Sequence, residues 1–277
     1  MTPSQLDRYF ARVGYTGARE PTLAVLHALT AAHTQSIPFE NLDVLLGRGI
    51  ELDDDVVFDK LVERERGGYC FEQNGLFLRV LTALGFAVTP LSARFRMDKP
   101  RGFIAPRTHV LLQVELDGAD WLTDVGAGGV SLTSALLLEP YLEQVTPHDT
   151  RRIVREAGCW VQQMQVADSW VDVYELTGEP MPLIDRVVGN WYTSAYPQSH
   201  FKQRLLVARA SDDGRRHTLL NAELKVRERD GRSEAITLES HEQLLRVLAQ
   251  TFGLHFPPYA DFASVGWPWS LDRSSPP

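Results

Sequence analysis

The spacing of apolar positions along the chain changes near residue 86. Before that point apolar residues recur every three or four positions: residues 23, 26, 29 and 32 in "EPTLAVLHALTAAHTQS", and 77, 80, 81 and 84 beyond Cys70. That period lines one face of a helix. Four helices are predicted. "SQLDRYFARVG" opens on a capping serine and closes at Gly14, and "EPTLAVLHALTAAHTQS" carries Pro21 in a first-turn position. "LDDDVVFDKLVERERGG" starts on acids and finishes on basic residues and glycines, as the helix dipole favours. The fourth starts at or just after Cys70 and stops at Gly85.

From residue 86 the runs become short, β-branched and aromatic. "FAVTPLSARFRM", "THVLLQVELDG", "ADWLTDVGAGG", "CWVQQMQVADSW" and "VDVYELTG" are separated by Asp-Gly, Gly-Gly and proline turns, which predicts a β-sheet or small barrel. Pro180 and Pro182 mark a break. Beyond them "DRVVGNWYTSAYPQSHF" is expected to hold a helix, "RLLVARA", "HTLLNAELKVRE" and "EAITLE" further strands, and "SHEQLLRVLAQTFGL" a last helix before a loose "RSSPP" tail. The reading is an α+β chain in three parts: 1–85, 86–185 and 186–277.

Composition narrows the class. With 277 residues, 44% hydrophobic and 23% charged, the chain has the make-up of a folded enzyme or binding protein. The net charge of −8 argues against nucleic acid or an anionic membrane as the partner. Residues 94–107 still carry five basic residues against Asp98 alone, read as a solvated loop or as an anchor for a phosphate-bearing ligand. No stretch approaches the roughly 20 apolar residues of a membrane span, and the first residues lack the pattern of a secretory signal, so a cytoplasmic location is expected. Two cysteines without CxxC or clustered Cys/His spacing suggest neither a disulfide framework nor a metal.

Candidate chemistry centres on "RGGYCFEQN" (66–74). A cysteine in the first turn of a helix has its thiolate stabilised by unpaired N–H groups and the positive end of the dipole, and the same N–H groups could hold an oxyanion. Gly67 and Gly68 allow a sharp entry and a close approach by another chain or a ligand. The opposing reading is a packed core thiol. Cys159, inside a strand, is read as structural. Of eight histidines, His109 heads the apolar strand "HVLLQVEL"; the others sit on helices or near turns, where capping or solvated roles suffice. Asp124 precedes the "VGAGG" turn. A hairpin closed about Gly118 and Ala119 would put His109 and Asp124 four residues out of register, about 13 Å; an earlier turn or a bulge would bring them nearly opposite.

Taken together, "IPFENLD" (37–43), "RGGYCFEQN", "THVLLQV" (108–114) and "LTDVGAGG" (122–129) resemble, in order and spacing, the arylamine N-acetyltransferase family. The resemblance implies a helical bundle, a central β-barrel and an α/β lid around a papain-like cysteine-enzyme core. It also implies a catalytic triad of Cys70, His109 and Asp124, and acetyl transfer from acetyl-CoA through a cysteine thioester to an arylamine or arylhydrazine. Phe39, Tyr69 and Ala127 are then expected at the acceptor, and Gly126, Gly128 and Gly129 at coenzyme A. Glu40, Asn41, Arg66 and Glu72 are expected to be supports. Many members carry an aromatic ring where this chain has Ala127, which would also suit an amide synthase moving a longer acyl chain. A homodimer is compatible with the resemblance.

Overall fold

The computed structural model describes residues 1–100 and 102–262; the "RSSPP" tail lies outside them. Helices α1 (Pro3–Val13) and α2 (Leu23–Ser36) start one or two residues away from the expected caps. The Thr2 hydroxyl accepts the Gln5 N–H while the Gln5 carboxamide accepts the Thr2 N–H, so Thr2 rather than Ser4 opens α1. Likewise the Thr22 hydroxyl accepts the Val25 N–H and leaves Pro21 ahead of α2. A short strand β1 (Phe39–Glu40) and a single turn α3 (Leu42–Leu45) follow. The third predicted helix is α4 (Asp54–Phe58) continued by a wider π turn, Asp59–Glu63. Lys60 in that turn is buried. Helix α5 (Cys70–Ala83) then begins at the cysteine itself.

The middle of the chain is one antiparallel sheet: β2 (Ala87–Phe95), β3 (His109–Leu116), β4 (Ala119–Thr123), β5 (Leu136–Leu137), β6 (Gln144–Val145), β7 (Thr150–Glu156), β8 (Cys159–Val166) and β9 (Ser169–Pro180). Its order is β5-β4-β3-β2-β9-β8-β7-β6. The two edges meet through a side chain. Gln144 donates to the Leu137 carbonyl at 3.0 Å and accepts the Leu137 N–H at 2.7 Å, taking the place of a ladder residue. This nearly closes a barrel and removes exposed edges that would otherwise invite pairing. Helix α5 packs on β2 and β3, burying Phe77, Val80, Leu112 and Val114 in one core.

Helix α6 (Leu183–Ser194) leads to a second antiparallel sheet with order β1-β10-β11-β12-β13, formed with β10 (Leu206–Ala210), β11 (Arg216–Leu220), β12 (Glu223–Arg227) and β13 (Ser233–Thr237). Helix α7 (His241–Phe252) covers it through Leu244, Leu248 and Phe252. The architecture is thus the α+β arrangement expected, with helices, barrel and an α/β third part. Strand β1 comes from the helical part of the sequence yet is the edge of the second sheet, and residue 185 falls inside α6. Among the described residues no helix is long and apolar enough to cross a membrane.

Candidate active site

Cys70 is the first residue of α5, where a helix leaves its N–H groups without internal partners. The entry is held from three sides. Tyr69 N–H donates to Glu72 Oε2 at 3.0 Å, and Glu72 Oε1 takes Lys60 Nζ at 2.7 Å. Gly68 pairs with the β1 segment: the Glu40 N–H donates to its carbonyl at 3.0 Å, and a side chain on Gly67 would lie 2.1 Å from the Pro38 carbonyl oxygen. Gln73 donates to the Pro38 carbonyl at 2.8 Å and bonds His33 Nε2 at 2.6 Å, while Tyr9 meets His33 Nδ1 at 2.9 Å. Gly67 is therefore required for close approach of the "IPFENLD" segment, while a side chain on Gly68 would collide with Glu72.

That segment and the cysteine loop share a buried charge network. Arg66 is bidentate to Glu40 Oε1 at 2.9 and 2.6 Å, and Lys60 also reaches Asp43 Oδ2 at 2.9 Å. Asn41 donates to the Phe201 and Arg204 carbonyls at 2.8 and 2.7 Å and accepts the Leu206 N–H. Burial alone would raise the Asp43 carboxyl, but Lys60 and Arg66 outweigh it and hold it at about 2. Glu40, Asn41, Arg66 and Glu72 thus support the loop.

The β3–β4 hairpin turns through Asp117 and Gly118, pairing Leu116 with Ala119 and Leu112 with Thr123. This is one residue earlier than a turn at Gly118–Ala119. Continuing that register puts Asp124 across from Leu111, two residues or about 7 Å from His109 on the same face, a gap the side chains bridge. Asp124 Oδ2 lies 2.7 Å from His109 Nε2. Cys70 Sγ lies 3.6 Å from the Thr108 carbonyl, which places the thiol beside His109, where it helps to favour the charged imidazole. Burial works to lower the His109 pKa. The Asp124 charge and hydrogen bond, then Cys70, reverse this and raise it to about 10. The rings of Phe95 and Tyr174 flank the imidazole, with centroids 4.7 and 5.4 Å away.

Asn74 completes the constellation and was not apparent from sequence. It lies one turn after Cys70 on α5 and donates to Asp124 Oδ1 at 2.9 Å and to the Val110 carbonyl at 2.7 Å, while accepting the Val125 N–H at 3.1 Å. The one available signal was a pair of adjacent amides, Gln73 and Asn74, on the helix that follows the cysteine. Gly126 is packed onto the nucleophile: a Cβ there would lie 2.6 Å from Cys70 Cα and 2.8 Å from Asn74 Nδ2.

The remaining candidates fall into two groups. Phe39, Tyr69 and Cys70 share one cluster with Phe201. Tyr69 has no exposed surface, and its hydroxyl donates to Asn190 on α6, so any acceptor meets it only after rearrangement. Ala127 is buried, and the ring of Phe39 lies 3.5 Å from where a Gly128 Cβ would sit. The Gly126 N–H already donates to Asp124 Oδ1 at 3.0 Å, and a Cβ on Gly129 would meet Thr218 at 2.4 Å. As a phosphate cradle this turn therefore keeps only part of the expected donor set. The residues just after it are tied down: Arg151 donates to Val130 O and Arg216 to Ser131 O, both guanidiniums being held by buried Asp149.

Two expectations change. In the 94–107 segment Arg96 is paired with Glu156, Asp172 and Glu175, and Arg107 with Glu179, so much of its charge is neutralised internally. His33 and His148 are buried, not solvated; burial lowers both to about 4, leaving neutral rings with hydrogen-bond partners at both nitrogens. Among the described residues no His/Cys/Asp/Glu group could hold a metal ion.

Residues 22–260 match the family model described as N-acetyltransferase. The arylamine N-acetyltransferase of Escherichia coli (strain K12) is 42% identical, covering 92% of this chain and 90% of its own. In structure, the arylamine N-acetyltransferase from Salmonella typhimurium superposes with a TM-score of 0.87 at 38% identity, covering 92% of both chains. The Mycobacterium marinum enzyme in complex with CoA gives 0.86 at 38% identity, covering 90% of this chain and 92% of that one.

Proposed function

Starting from a chain that belongs to the arylamine N-acetyltransferase family, we propose that Cys70 carries an acetyl group from acetyl-CoA to the nitrogen of an arylamine or arylhydrazine by a ping-pong route. The observation that carries this reading is the buried His109–Asp124 pair beside a cysteine in the first turn of α5.

The Cys70 thiolate, with imidazolium His109 as counter-ion, attacks the thioester carbonyl; the C–S bond to coenzyme A breaks, and His109 protonates the departing thiolate. First-turn N–H groups of α5 face the oxyanion. Aromatic amines are neutral near pH 7 and attack the acetyl-enzyme directly. Neutral His109 takes the amine proton as the Cys70 thiolate leaves. Asp124 fixes the imidazole and supports its charge. Phe39 and Ala127 are assigned to the acceptor side, and the N–H groups of Gly128 and Gly129 to coenzyme A. The comparisons favour acetyl over a longer acyl chain.

The test is intact mass after mixing with acetyl-CoA. A single acetyl adduct is expected in the wild type and none in Cys70→Ala, with the adduct discharged by an arylhydrazine. An adduct that survives in Cys70→Ala would remove Cys70 from the reaction.

A further inference from the structure

A cavity of about 230 Å³ lies on the far side of α5, between α4 and α6. Its walls are Leu52, Val57, Phe71, Leu76, Leu78 and Leu183, and its polar groups are Arg79, Arg186 and Asp54. No side chain among these belongs to the proposed acetyl-transfer machinery, although the Phe71 backbone lies in the first turn of α5.

Two features mark it as more than a packing gap. The first is Gly75, which lines it from the middle of α5. A glycine inside a helix costs about 0.5–1 kcal/mol relative to alanine. Here neither backbone nor neighbours require it, since its φ is not positive and an added Cβ would meet nothing within 4 Å. What the missing side chain preserves is the open volume. The second is Arg186. Its Nε is enclosed without a hydrogen-bond partner and, among the described residues, its guanidinium makes no ion pair; the Asp54 carboxylate acts on it only from a distance and is paired with Arg79 at 3.1 Å. A buried polar group without a partner is costly, and guanidinium is the cation best matched to a carboxylate.

We infer that this cavity binds a small carboxylic acid with an apolar body, its carboxylate on Arg186 and its hydrocarbon against Phe71, Leu76 and Leu183. The volume exceeds the roughly 150 Å³ that accepts benzene in an apolar protein cavity, which sets the scale at a ring or a short chain bearing one carboxylate. Arg186 sits at one wall with the Arg79–Asp54 pair beside it, and the remaining walls are apolar, so neither a bare anion nor a neutral hydrocarbon would satisfy both.

Titration calorimetry with benzoate and hexanoate on the intact protein tests this, with Arg186→Gln and Gly75→Leu as separate variants. One-site binding is expected in the wild type, weakened at least tenfold by Arg186→Gln through loss of charge and by Gly75→Leu through loss of space. Circular dichroism and melting curves identify a misfolded variant, in which case Leu183→Glu, at the exposed mouth, replaces it. Absence of saturable binding, unchanged binding in both variants, or inorganic phosphate binding as tightly as benzoate would each overturn the inference.

Discussion

Asp124 Oδ2 lies 2.7 Å from His109 Nε2, with both side chains sealed from solvent and Asn74 holding the second carboxylate oxygen. The carboxylate outweighs the burial that would otherwise keep the imidazole neutral. Asp124→Asn leaves burial as the dominant influence, so His109 loses its proton at neutral pH. Acetylation of Cys70 by acetyl-CoA, followed by stopped flow, is expected to slow about 10³- to 10⁴-fold, in line with orienting-carboxylate losses in other triads. The alkaline limb of the pH–rate profile should also move down from near pH 10. An unchanged limb would show that Asp124 does not set the imidazole charge.

Gly126 makes the same site depend on one missing side chain. An alanine Cβ there would lie 2.6 Å from Cys70 Cα, a backbone atom that cannot swing away. Either the 124–129 turn or the start of α5 must move. Gly126→Ala is expected to cost about 1–3 kcal/mol by urea unfolding. It should lower the rate of acetyl-enzyme formation at least about 10²-fold, as misplacement by about an ångström does. Wild-type rates would mean that the contact relaxes without disturbing Cys70.

Much of this was legible in sequence for specific physical reasons. The change in apolar period at residue 86 marks the passage from helix to barrel, and Gly67–Gly68 before Cys70 signals a close approach, realised against Pro38. The pairing of His109 with Asp124 turned on a one-residue choice of hairpin turn, Asp117–Gly118 against Gly118–Ala119, that periodicity does not fix. Asn74 and the burial of His33 and His148 were hidden because their partners lie 15 or more residues away along the chain, beyond the reach of local periodicity. Strand β1 was missed for a similar reason: its two residues become a strand only when β10 arrives beside them.

The titration shifts give stability a defined pH profile. His109 has a folded pKa of about 10 against an ordinary 6.5, so its contribution is complete below pH 6.5 and is lost as pH rises toward 10. His33 and His148 run the other way. Folded values of about 4 mean that the unfolded chain takes up their protons first, and stability falls as pH drops from 6.5 to 4. Asp43, held at about 2 against 3.8, adds a further loss below that. Urea midpoints are expected to peak near pH 6.5, and Asp124→Asn should flatten the alkaline side alone. A peak unmoved by these groups, at pH 4 or 9, would contradict the assignment.

Lys60 joins the cysteine loop to its support. It is buried in the π turn with its ammonium on Glu72 Oε1 and Asp43 Oδ2, and Glu72 in turn receives the Tyr69 N–H at the helix entry. Burial opposes both charges; the Lys60 pKa is nonetheless raised, with Glu72 its strongest partner, while Glu72 itself is raised because burial outweighs Lys60. Lys60→Met removes the cation and leaves a carboxylate uncompensated, which should cost about 3–5 kcal/mol. Asp43 keeps Arg48 and Arg66, so the loss should centre on Glu72. The double variant Lys60→Met/Glu72→Gln removes that carboxylate's charge while leaving an amide oxygen for Tyr69, and is expected to recover a substantial share of the loss. Urea unfolding of the four proteins in this cycle measures the coupling directly. If the double variant is no more stable than Lys60→Met, packing of the lysine stem, and not the ion pair, is what holds the entry to α5.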